Sequence, residues 1–143
     1  MGYRYNGLEF GTRLLARWAA FFDLAGWSWK ANPAPVDDWS PDFRVSFPCG
    51  HSECPKQHVI LVSVLAVDGI DRIIGHPALQ HSYNVADAEG NAFGDAGAVF
   101  GSTPSVSRWE MAHGSGGGID SVLDWVPNAA DLWRRSGDLV RVS

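Results

Sequence analysis

Lysine is nearly missing from this chain of 143 residues: Lys30 and Lys56 stand against nine arginines. Cysteine and methionine occur twice each, and charged side chains make up only 19% of the sequence. What charge there is leans acidic, with a net of −5. That excludes a generally basic surface of the kind that holds nucleic acid along its whole length. No apolar run approaches the ~20 residues of a membrane-spanning helix, so no membrane partner is expected. No repeat of about 20–50 residues recurs, which excludes solenoids and propellers. The opening Met1-Gly2-Tyr3-Arg4-Tyr5-Asn6 has no apolar stretch behind its basic residue. This predicts no secretory leader and a cytoplasmic location. Gly7 stands where a myristoylation signal needs Ser or Thr.

What is present suits a folded chain. Hydrophobic residues make up 45% and tryptophan occurs seven times, enough for one core in a single domain over 1–143. Charge is unevenly spread. Residues 1–36 carry four basic and two acidic side chains, whereas 37–143 carry seven and fourteen. A polyanion contact would therefore be local, through Arg4, Arg13, Arg17 and Lys30.

Leu14, Trp18, Phe21, Phe22 and Ala25 fall on one helical stripe, which predicts a helix over 8–25 stopped by Gly26, with Arg13 and Arg17 off the stripe. Residues 27–30 and 43–47 alternate as strands do. The run from Val59 to Val67 is almost wholly apolar and β-branched, the pattern of a central strand covered on both faces. A short helix is expected over 68–74. Residues 82–105 read as loop with a short strand at 98–100, and 106–111 as a strand. Gly114–Gly118 reads as a glycine loop, 127–136 as a helix closed by Gly137, and 139–142 as a last strand. The sum is an α+β fold: a mixed central sheet of four to five strands, a long N-terminal helix and further helices packed on the sheet.

The densest chemistry lies in Cys49-Gly50-His51-Ser52-Glu53-Cys54-Pro55-Lys56-Gln57-His58. Two thiols and two imidazoles within ten residues suit a structural zinc, which takes four S or N ligands in a tetrahedron and stays uncharged with two cysteinates and two histidines. Cys49, His51, Cys54 and His58 are the candidate ligands, in a loop spanning 48–58. A reduced loop without metal and a Cys49–Cys54 disulfide are the other readings of the same residues. Trp109-Glu110-Met111-Ala112-His113, followed by Gly114-Ser115-Gly116-Gly117-Gly118, offers Glu110 and His113 as an acid–base pair beside a glycine loop. The run lacks the Lys-Ser/Thr of a phosphate-binding loop.

Gly11 to Asp23, Trp39-Ser40-Pro41-Asp42-Phe43, the strand ending Val62-Ser63-Val64-Leu65, the Cys-Gly-His-Ser-Glu-Cys-Pro loop, Gly75-His76-Pro77 and Trp109 to Gly114 together resemble one known group. It is the PD-(D/E)xK, restriction-endonuclease-like superfamily, in particular a small actinobacterial and actinophage set carrying a Cys/His loop. The resemblance implies a nuclease-like core. In active members, acidic groups on the first helix, the PD strand and the ExK strand hold Mg²⁺, and a lysine helps position water. Here only Asp42 persists. The helix position is Leu15, the ExK acid position Ser63 and the lysine position Leu65.

A lone carboxylate holds Mg²⁺ poorly. The expectation is a catalytically degenerate, zinc-stabilised accessory protein of phage type in a bacterial host cell, with Asp42 a vestige. It would act by binding a host or defence protein, as an inhibitor or anti-defence factor, or by binding nucleic acid through Arg13, Arg17 and Lys30. The alternative is a Mg²⁺-dependent DNA endonuclease whose ligands have migrated to Glu9, Asp23, Asp37 or Asp38 beside Asp42. Asp42 also reads simply as a turn residue bonding nearby backbone N–H groups.

Overall fold

The computed structural model of the protein describes residues 2–48, 57–81, 85–86, 92–113 and 116–142. The chain opens with a hairpin of β1 (Tyr3–Tyr5) and β2 (Leu8–Phe10). Asn6 and Gly7 turn it with φ of 53° and 78°, the left-handed pair a two-residue hairpin turn requires. Residues 8–10, expected as helix, are therefore strand. The helix α1 (Arg13–Leu24) begins only after Thr12, whose side chain accepts the Leu15 N–H and caps it.

A six-stranded sheet follows. Its members are β3 (Ser28–Ala31), β4 (Phe43–Pro48), β5 (Gln57–Val64), β8 (Ala96–Phe100), β9 (Ser107–His113) and β10 (Gly116–Asp120). They lie in the order β10-β9-β8-β5-β4-β3. All neighbours are antiparallel except β5 and β8, which run parallel. The α+β class with a mixed sheet holds, with one strand more than expected. Gly116 to Gly118 belong to the edge strand β10, opposite His113 to Met111, rather than to a loop. The short β6 (Val85–Ala86) and β7 (Ala92–Gly94) pair with each other, and β11 (Arg141–Val142) joins the N-terminal hairpin beside β1.

Strand alternation sorts the side chains into two layers. On one face Phe43, Val45, Phe47, Ile60, Val62, Ala98, Phe100, Trp109 and Met111 meet Trp18, Phe21 and Phe22 of α1. The Trp18 indole sits between the Phe100 and Trp133 rings, with centroids at 4.7 and 4.6 Å. On the other face Leu61 and Val99 pack with Val36, Trp39, Ile73, Ala78 and Val85. Val36 and Trp39 of this second layer come from the β3–β4 connection, and Ile73, Ala78 and Val85 from the crossover between β5 and β8, which carries two 3₁₀ turns, Ile70–Arg72 and Pro77–Gln80. A Cβ on Gly97 of β8 would run into the Ala78 carbonyl. The crossover thus lies directly on a strand kept bare to receive it.

The helices α2 (Val122–Trp125) and α3 (Ala129–Gly137) close the α1 side. Arg17 donates from Nε and an Nη to the Trp133 carbonyl at 3.1 and 2.7 Å, and its guanidinium lies 4.2 Å over the Trp133 ring. Arg13 donates to the Gly137 carbonyl at 2.9 Å. Arg13 thus caps the last carbonyl of α3, which lacks an intrahelical donor, and Arg17 adds donors to a carbonyl one turn earlier.

Candidate functional site

Asp42 stands at the entry to β4, just before Phe43, which lies opposite Val62 of β5. Its own N–H donates to the Val62 carbonyl at 2.7 Å, and its Oδ2 accepts the Val64 N–H at 2.7 Å. The carboxylate thus replaces a backbone acceptor at the margin of the β4–β5 ladder. Burial pushes its pKa up, an effect opposed by the Val64 hydrogen bond and by nearby His76. Burial in turn pulls the His76 pKa down, against the pull of Asp42. His76 Nδ1 accepts the Ala78 N–H at 3.1 Å, capping the Pro77–Gln80 turn. In the neutral ring that leaves the proton on Nε2.

The positions that would complete a metal cage serve packing. Ser63 is buried, and its Oγ accepts the Trp39 indole N–H at 2.7 Å. Trp39 stacks on His81, with ring centroids 5.2 Å apart. Leu65 packs against the second layer. Leu15 packs against the first, on the opposite side of the sheet. Among the described residues, no three His, Cys, Asp or Glu side chains gather as an ion would require.

The candidates for migrated ligands are otherwise engaged or lie in a turn. Glu9 is 3.9 Å from Arg4. Asp23 accepts the Tyr5 hydroxyl at 2.6 Å and the Trp29 indole N–H at 2.9 Å. Burial, with the Asp23 carboxylate beside it, raises the Tyr5 pKa. Asp37 and Asp38 are exposed in the turn bridged by Val36 and Trp39.

Cys49, His51 and Cys54 lie outside the described residues. What frames them is described: β4 and β5 form the two arms of a hairpin, with Phe47 opposite His58 and Pro48 opposite Gln57. The ends of the Cys/His segment are therefore held side by side. His58 is 1% exposed and packs against the Phe47 and Trp125 rings, which also touch each other. Its Nδ1 lies 3.4 Å from Asp95 Oδ2, and that same oxygen accepts the Val59 N–H at 2.7 Å. An imidazole with one nitrogen beside a carboxylate fits the donor set of a structural zinc. Asp95 had no sequence signal, because its contact depends on the parallel register of β5 and β8.

Of the candidate nucleic-acid contacts, Arg17 is half-buried in the α1–α3 junction, Arg13 is exposed while bonding the Gly137 carbonyl, and Lys30 is exposed on β3. Glu110 is half-buried on β9, beside a small pocket of about 110 Å³ shared with Ile74, Leu79 and Arg108. His113 ends β9; its side chain, like Gly114 and Ser115, lies outside what the structure describes. No helix among the described residues is long and apolar enough to cross a membrane. Compared with protein-family models, curated proteins and solved structures, the chain matches none.

Proposed function

We propose that this chain is a binding module on a nuclease-like core whose metal-dependent chemistry has been lost, and that it acts by contact with a host or defence protein. Cys49, His51, Cys54 and His58 hold a structural zinc that ties off the β4–β5 hairpin. The observation that carries the reading is the use made of the ancestral positions. Asp42 is committed to the Val64 N–H, Ser63 to the Trp39 indole, and Leu15 and Leu65 to opposite apolar layers. A single carboxylate so placed gives Mg²⁺ little to replace its water shell. An acidic net charge and two arginines turned onto α3 favour a protein partner over a polyanion.

Plasmid digestion with Mg²⁺ or Mn²⁺ tests it, comparing the native chain with Asp42→Ala. The expected result is no cleavage that depends on Asp42. Cleavage lost in the variant would overturn the reading in favour of an endonuclease with relocated ligands.

A further inference from the structure

The strand β3 is one edge of the six-stranded sheet. Asn32 donates its N–H to the Asp42 carbonyl at 2.8 Å, and the antiparallel register places Lys30 opposite Arg44 and Ser28 opposite Ser46. Hydrogen-bonded and non-bonded pairs alternate along such a ladder. The N–H and C=O groups of Trp29 and Ala31 therefore point away from β4. They face an open groove of about 470 Å³, walled by Asn6 and Leu8 of the N-terminal hairpin and by Asp23. Leu8 is 46% exposed there.

The two faces of this edge differ. Trp29 and Ala31 pack against the α1 layer. Lys30 is exposed on the other face, directly across from Arg44. Like charges directly opposite destabilise a strand pair. Among the described residues neither cation makes an ion pair. Pairing β3 with a second copy of itself would add a further lysine to this face. An edge lysine of this kind guards against self-pairing.

We propose that β3 is a docking edge for an extended acidic segment of a partner protein, which adds a seventh strand. Its backbone bonds the free groups of Trp29 and Ala31. Its carboxylates lie across from Lys30, and its intervening apolar side chains extend the Trp29 and Leu8 surface. This deepens the reading of the chain as a protein-binding module and rests on it.

The probes are two labelled peptides, Thr-Val-Glu-Val-Glu-Val-Thr and the same sequence with lysine for glutamate, titrated with the full chain and followed by fluorescence anisotropy. Saturable binding of the acidic peptide is expected, at least about tenfold tighter than the basic one. Ala31→Pro removes an outward N–H that β4 does not use, and proline is tolerated at a sheet edge. It should abolish binding while the circular dichroism spectrum stays native. Lys30→Glu should reverse the peptide preference without touching the backbone, which keeps the test decisive if the proline variant misfolds.

Three results would overturn the proposal: no saturable binding, equal binding of both peptides, or Lys30→Glu with unchanged preference. A dimer that Ala31→Pro dissolves would also overturn it, assigning the edge to a second copy. Failure here is distinct from failure of the functional reading, which Asp42-dependent DNA cleavage would overturn whether or not the edge binds peptide.

Discussion

At Asp42 a carboxylate is held where burial disfavours its charge, and one backbone N–H is its recompense. Two substitutions separate these effects. Asn keeps an oxygen acceptor for Val64 and sheds the charge. Because the folded pKa of Asp42 lies above its unfolded value, the folded state binds the proton more tightly, and ionised Asp42 works against folding at neutral pH. Asp42→Asn should therefore be more stable than the native chain near pH 7. The advantage should shrink as pH falls through the raised folded value, and vanish below the ordinary aspartate value of about 3.9. Asp42→Ala leaves the Val64 N–H without its acceptor and should cost about 1–3 kcal/mol. Urea melts of the three proteins from pH 3 to 8 check both expectations. This residue was legible in the sequence, since alternation over 43–47 placed it at a strand entry. Its partners were not. The Trp39 bond to Ser63 joins residues 24 apart, and His76 reaches the site from a crossover whose path no local pattern announces.

Elements lock to one another through few residues. Arg17 joins α1 to α3 by two hydrogen bonds to one carbonyl and by its ring contact with Trp133. Arg17→Ala should lower stability by about 2–3 kcal/mol in a urea melt. Arg17→Lys should recover only part of that, because an ammonium cannot place a planar fork over the indole. The β5–β8 crossover depends on Gly97 in the same way. In Gly97→Ala the added methyl meets the Ala78 carbonyl, and the shift it forces should cost about 1–3 kcal/mol.

These contacts explain what the sequence concealed at this scale. The central strand β8 is Ala-Gly-Ala-Val-Phe, and its small residues look like loop because a 3₁₀ turn lies on them. The N-terminal hairpin was concealed differently. Asn6-Gly7 is a hairpin signal, yet the apolar stripe of α1 continues backwards far enough to absorb Leu8. Only the cap at Thr12 separates the two. By contrast β5, whose apolar run exceeds what one buried face needs, was readable as a two-sided central strand, and β4 was readable from its alternation.

At the scale of the whole molecule, the proposals meet at Asp42, at the β4–β5 hairpin and at the open sheet edge β3. Zinc held by Cys49, His51, Cys54 and His58 predicts one metal per chain by elemental analysis after purification without added zinc. Chelation should lower the melting temperature, and Asp95→Asn should weaken zinc retention by about 10–100-fold if Asp95 orients His58. A zinc stoichiometry near zero would leave the loop without metal.

The central claim concerns the other cation. Anomalous diffraction from crystals soaked in Mn²⁺ tests it most directly. The account predicts no manganese at Asp42, since Ser63 and Leu65 offer no carboxylate there. Manganese held by Asp42 together with two or more further side chains would contradict it.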